Sequence, residues 1–244
     1  MSLSAKPDLP YCFGHPVSLS THGCMTLWAA SGLAFVLLLA VPTWDPSPWT
    51  GALAAVLFVG VQWAGLRVAV GPDWVALFRR PRWRNVALAL AAVPLVLGLP
   101  ALVAVYGLGT SHLTANASVN AVAGLTSAQL VARFALVAVQ LLGEELVTVL
   151  PLLATVALLH RVGMPARWAI AVAWVATALL FGALHLPTYQ WHVGQALLVI
   201  GTARLVLTGV FVYTRNLWAS TTAHIANDWA IMAFALAFSR SVGT

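Results

Sequence analysis

Apolar residues run almost unbroken for long stretches of this 244-residue chain, and charged ones gather in short connectors. Between Arg84 and Arg133 there is no Asp, Glu, Lys or Arg, and from Leu9 to Leu66 the single charge is Asp45. A helix crosses bilayer hydrocarbon with ~20 mostly apolar residues, which runs of this length supply. Pro, Gly, Asn and Arg punctuate the chain into about seven spans, near 25–42, 50–70, 85–107, 127–160, 167–186, 192–214 and 217–238. The pattern predicts an all-α, polytopic membrane helical bundle. A single membrane domain over 1–244 is the simplest organisation, with an extramembrane N-terminal segment over 1–24 and no internal repeat. The proline- and tryptophan-rich stretch from Pro42 to Trp49 suits an interfacial turn. The fourth span is long enough that it tilts strongly, breaks near Pro151, or begins outside the hydrocarbon.

Composition sharpens this picture. The chain is 61% hydrophobic and 7% charged, against roughly 25% charged in an ordinary soluble domain. A water-facing surface cannot be coated with so little charge, which excludes a soluble enzyme and a disordered chain. The net charge of +6 does not point to nucleic acid, because Arg79, Arg80, Arg82 and Arg84 cluster between two spans as a topology signal. Arginine-bearing connectors alternate with arginine-free ones: Lys6, Arg67 to Arg84, Arg161 with Arg167, and Arg215 all fall on one side. The alternation predicts a cytoplasmic N-terminus and an outer C-terminus, with Arg240 the single dissenter. The N-terminus lacks the charged start and cleavage site of a signal peptide, so the first span is expected to be retained. Cys12 and Cys24 could pair or stay free, and neither sits where an intramembrane nucleophile would.

Three of the six acidic residues fall inside spans: Glu144, Glu145 and Asp228. A charge at mid-membrane costs about 2.5–3.5 kcal/mol on insertion scales, and adjacent carboxylates repel. A packing contact could be made by serine or asparagine at lower cost, so the pair reads as functional. His185 ends Phe181-Gly-Ala-Leu-His185, and His224 opens His224-Ile-Ala-Asn227-Asp228. Residues four apart share a helix face, which puts His224 and Asp228 together with Asn227 beside them. Carboxylate, imidazole and amide on separate helices suit water activation and oxyanion stabilisation. His15, His22 and His112 fall in connectors, while His160 and His192 fall at span ends.

The ordered set Glu144-Glu145, Phe181-x-x-x-His185 and His224-x-x-x-Asp228 resembles the CAAX-protease and bacteriocin-processing (CPBP, or Abi) family of intramembrane endopeptidases. The resemblance covers about 127–238. It implies hydrolysis of a peptide bond in a membrane-associated peptide or protein, with Glu144 activating water and His185 helping to hold it. His224 and Asp228 would take the positions proposed to stabilise the oxyanion, with Phe181 and Asn227 in support. No cofactor is expected; the alternative is zinc on Glu144, His185, His224 and Asp228, a donor set that zinc accepts. The family motif Glu-Glu-x-x-x-Arg is broken here, since its arginine position is Val149. A non-catalytic member binding a peptide or partner protein is therefore the nearest alternative. An ion-coupled carrier is the alternative from another class.

Two expectations follow. Arg204 is alone in the middle of the sixth span and cannot shed its proton, so it should replace the missing arginine by pairing with Glu145. Arg133, three turns before Glu144, is the competitor. On straight helices His185 and His224 lie at different depths, so they meet only if spans tilt or if Pro187 to Gln195 dips back into the protein.

Overall fold

The computed structural model describes residues 9–242 apart from 46, 110, 112, 117–121 and 123; of Arg240 and Val242 only the backbone is described. Lys6, His112 and the Arg240 side chain thus lie outside the described residues. All regular elements among the described residues are helical. The long helices are α1 (Thr21–Trp44), α2 (Pro48–Val70), α3 (Trp83–Leu102), α4 (Ser127–Arg161), α5 (Ala166–Leu184), α6 (Gly201–Thr214) and α7 (Leu217–Val242). Six are long and apolar enough to cross a membrane, α2, α3 and α6 being extended by short 3-10 or π-helical turns. The helix outside this set, α7, has 26 residues, but His224, Asn227 and Asp228 lower its apolar character.

Local signals account for the boundaries. The Ser20 hydroxyl accepts from the Gly23 N–H at the start of α1. Capping boxes open α2 (Ser47 with Thr50) and α4 (Thr126 with Gln129), each satisfying two otherwise orphaned donors. Helix α4 runs 35 residues through Pro151 without breaking, about 52 Å at 1.5 Å per residue. That exceeds the ~30 Å hydrocarbon thickness, so its ends project beyond the hydrocarbon. It is also the central helix. Its most apolar stretch is 78% buried, against 39% or less for the other spans, which face lipid.

Close approach around α4 is made by glycine. A Cβ on Gly143 would stand 2.3 Å from the Phe58 ring of α2. One on Gly182 of α5 would stand 2.5 Å from the Ala196 carbonyl in the π-helical turn Gln195–Ile200. Such contacts let helices gain packing in a solvent as apolar as they are.

The antiparallel helices give the bundle two faces. At one, the N-terminal residues tuck under the helix ends: the Tyr11 hydroxyl donates to the carbonyls of Asp73 and Trp74, and Arg161 reaches Thr21 and the Leu19 carbonyl. Asn216 donates to the Arg79 carbonyl and Trp218 to that of Phe78. This face carries Arg67, the Arg79–Arg84 group, Arg161, Arg167 and Arg215. Both cysteines are free and buried here. Burial pushes the Cys12 thiol well above its ordinary pKa, which removes its thiolate. At the opposite face the Gln195 amide pairs in both directions with the Thr114 backbone.

Candidate active site

Helix α4 delivers Glu144 and Glu145 side by side, and the 100° step between successive residues sends them to different surroundings. Glu145 points into the bundle and is fully buried. Its Oε1 lies 2.7 Å from Arg204 Nη1, the guanidinium also being fully buried, and 2.9 Å from His224 Nδ1. The guanidinium is held further by Nε donating to Thr208 Oγ1 at 3.1 Å, and its carbon lies 5.0 Å from the centre of the Phe181 ring. Arg204 therefore meets Glu145, as the break at Val149 led us to expect. Val149 is itself fully buried in the apolar core. Arg133, the competitor, lies in a cavity wall instead.

Glu144 faces open space. Its side chain is 13% exposed, and Gln140, one turn earlier, donates to its Oε1 at 3.0 Å. Two cavities meet at this carboxylate. The larger, about 340 Å³, lies among α3, α4, α5, α6 and α7 and is lined by Glu144, His185, His224, Asn227 and Asp228. The smaller, about 240 Å³, lies among α1, α2, α4 and α5. Gln140, Glu144, Phe181, His185 and Thr188 line both.

Both imidazoles are fixed through Nδ1. His185 Nδ1 is 2.9 Å from the Phe181 carbonyl, an acceptor, so Nδ1 carries the proton and Nε2 is left to other partners. His224 Nδ1 donates to Glu145, and its Nε2 lies 3.8 Å from both Glu144 Oε2 and Asp228 Oδ1. Those two separations are too long for direct hydrogen bonds. Asn227 Nδ2 donates to Asp228 Oδ1 at 2.9 Å. The depth mismatch between the histidines is bridged by Phe181, whose ring centre is 4.5 Å from that of His185 and 6.3 Å from that of His224. The segment after His185 also turns inward, burying Tyr189 and Gln195 and placing Thr188 and Tyr189 in the cavity wall. His192 is exposed and outside that wall.

Among the described residues no group of three His, Cys, Asp or Glu side chains is arranged to hold a metal ion. In the set Glu144, His185, His224 and Asp228 each imidazole commits Nδ1 to a protein acceptor and leaves Nε2 available, as in a histidine that ligates a metal, but the four groups are not gathered around one point.

A family model described as Rce1-like, type II CAAX prenyl endopeptidase, matches residues 125–230. The match begins just before α4 and ends beyond Asp228, so it holds both glutamates, His185, Arg204 and His224. No curated protein and no solved structure matches the chain. With six helices among the described residues able to cross a membrane, this is an integral multi-pass membrane protein whose residues 125–230 are similar to an endopeptidase family.

Several site residues escaped the sequence reading. Gln140 and Thr208 stand one turn from Glu144 and Arg204, a spacing that flags them once those charges are chosen. Gln62, fully buried in α2, donates to the Phe58 and Gly143 carbonyls and ties α2 to the turn that carries the glutamates. An amide in an apolar span was its signal. Nothing local marks Thr188 or Tyr189, which lie on an irregular connector.

Proposed function

We propose that this protein is an intramembrane endopeptidase that hydrolyses a peptide bond in a membrane-associated segment, with Glu144 as the general base. The observation that carries the reading is the division of labour between neighbouring carboxylates. Glu145 is held by Arg204 and His224, while the Glu144 carboxylate lines both cavities with a hydrogen bond from Gln140 alone among the described residues. In this reading Glu144 takes a proton from water, and the resulting hydroxide attacks the scissile carbonyl carbon. His185 Nε2 helps to hold that water. His224 Nε2, in the doubly protonated ring, and Asn227 Nδ2 donate to the oxyanion, with Asp228 orienting both. Glu144 then returns its proton to the leaving nitrogen as the C–N bond breaks, giving a carboxylate and an amine. Glu145 and Arg204 are positioning residues acting through His224. The reaction is proposed to need no metal.

The missing arginine at Val149 favoured a non-catalytic family member. Arg204 supplies the same charge to the same carboxylate, which weakens that alternative. A carrier would need its site to reach both faces, whereas the half beyond Glu145 is packed with leucine and valine.

The test is cleavage of membrane peptides, a prenylated CAAX tail among them, by purified protein in liposomes. Glu144→Gln keeps shape and removes the base, so turnover should fall by at least ~10² with the fold intact. Normal cleavage by the Gln variant would overturn the assignment. Loss of activity with a chelator and recovery with zinc would replace the glutamic mechanism by a metal one.

A further inference from the structure

Tyr189 is buried in the wall of the larger cavity, yet the glutamate and histidine chemistry makes no use of it. Aromatic residues near helix ends ordinarily lie at the membrane interface. Trp191, two residues on, is 68% exposed, and Tyr106, beyond α3, is 83% exposed; Tyr189 is 7% exposed. The backbone is bent to achieve this. The N–H of Tyr189 donates to the His185 carbonyl and that of Trp191 to the Leu186 carbonyl. Gln190 and Trp191 then take φ of 52° and 62°. Two successive left-handed residues, neither of them glycine or asparagine, are unfavourable, and such backbone persists where its surroundings over-determine it, commonly at functional sites. The turn releases Trp191 outward and keeps Tyr189 inside.

Ring and hydroxyl are both held. The ring stands one turn after His185, its centre 6.5 Å from that imidazole and its plane tilted by 30°. The hydroxyl oxygen accepts a long bond, 3.5 Å, from Asn116 Nδ2. Asn116 follows Thr114, whose backbone the Gln195 amide clamps in both directions. Because the phenol oxygen is the acceptor in that contact, its own hydrogen is left for donation. A bond accepted also strengthens the bond donated. Burial, and with it the carboxylates of Asp228 and Glu144, raise the phenol pKa above its ordinary value, so the hydrogen stays on at neutral pH. Asp228 acts on it more than Glu144 does, as expected of a hydroxyl on the α7 side of the cavity. That is the side on which His224 and Asn227 stand.

We infer that Tyr189 is a further catalytic residue, its hydroxyl donating a hydrogen bond to the oxyanion alongside His224 Nε2 and Asn227 Nδ2. The inference rests on the endopeptidase reading. The hydrogen stays on the phenol throughout, so no proton is transferred and Glu144 remains the base. A hydrogen bond to an ionised oxygen is stronger than one to a neutral carbonyl, so the contribution grows as the scissile carbon becomes tetrahedral and is small in the bound substrate. His224 and Asn227 both belong to α7, whereas Tyr189 belongs to the connector after α5. The oxyanion is thus held from two walls of the cavity.

Tyr189→Phe keeps the ring and removes only the hydroxyl, and Tyr106→Phe, at an exposed tyrosine, is the control. With purified full-length protein in liposomes and a cleavable membrane peptide, kcat of Tyr189→Phe should fall at least ~10-fold while KM and the thermal unfolding midpoint stay unchanged. Lower stability with unchanged kcat, or a change confined to KM, overturns the inference, since those are the marks of a packing or a binding role. In a second arm the same peptide carries a phosphinate in place of the scissile amide, which mimics the tetrahedral anion. Tyr189→Phe should bind this analogue at least ~10-fold more weakly than the wild type does, and Tyr106→Phe equally well. Equal affinity of Tyr189→Phe and wild type for the phosphinate overturns the inference whether or not the wild type cleaves. Phosphinate binding that depends on Tyr189, in a wild type that cleaves no peptide, would leave the donor in place and refute the endopeptidase reading. A wild type that neither cleaves the peptide nor binds the phosphinate refutes both.

Discussion

Beyond Glu145, helix α4 sends Leu146, Leu150, Leu152 and Leu153 into a core with no exposed surface. Before Glu144 the same helix turns Leu141, Gln140, Val137 and Arg133 towards a cavity of about 340 Å³. The two halves share one helix, one solvent and nearly one composition, and differ in what their neighbours leave unfilled. In the closed half, the N-terminal segment, the start of α1 and the ends of α2 and α6 complete the packing. In the open half, a short α5, a π-helical entry to α6 and an irregular connector hold the helices apart. A membrane protein gains little from burying leucine away from lipid, so the closed half is held by packing density and the open half by polar contacts. The seam between them is the Arg204–Glu145–His224 cluster.

Breaking that seam should have the largest effect. Arg204→Met leaves a buried carboxylate without its cation, and removing one member of a buried pair costs about 3–5 kcal/mol. Thermal unfolding in detergent should shift strongly downward. Adding Glu145→Gln, which still accepts from His224, should recover most of the loss. If the double variant is no more stable than Arg204→Met, the pair does not hold the halves together.

Next comes His224→Ala, which leaves the closed half untouched and removes an oxyanion donor. Turnover should fall by ~10²–10³ with KM little changed. A change confined to KM would make His224 a binding residue only.

Leu150→Ala probes the other side of the comparison. It opens a void in the closed half, but the membrane reference removes much of the usual transfer term, so the loss should be about 2 kcal/mol. Turnover per folded molecule should stay at the wild-type value. Altered kinetics would show that the closed half is not a passive wall.

The smallest effect is expected at Gly51 in the smaller cavity, where an added Cβ meets nothing within 4 Å. Gly51→Leu should fold normally and raise KM several-fold for peptides with bulky side chains beside the scissile bond, leaving small ones unaffected. Equal KM for both would mean that this cavity does not receive substrate.

Much of this architecture was legible without coordinates. Uncharged runs fixed the membrane class and the approximate spans, because hydrocarbon tolerates few alternatives. The price of an intramembrane charge singled out Glu144, Glu145, Arg204 and Asp228, and Arg204 could be matched to Glu145 because few carboxylates lie at that depth. Spacing could not give the depth at which His185 and His224 meet, since straight helices put them apart and only packing around Phe181 brings them together. Nor could it separate the roles of the two glutamates. Neighbours in sequence differ by 100° on a helix, and which direction faces solid core and which faces open space depends on the other helices. The sequence alone therefore determined which side chains a bilayer could not hold without partners. Only the tertiary structure decided that Glu145 would be enclosed by Arg204 and His224 and that Glu144 would stand where two cavities meet. Charge in hydrocarbon is costly wherever it occurs, whereas a cavity exists only where several helices together fail to close.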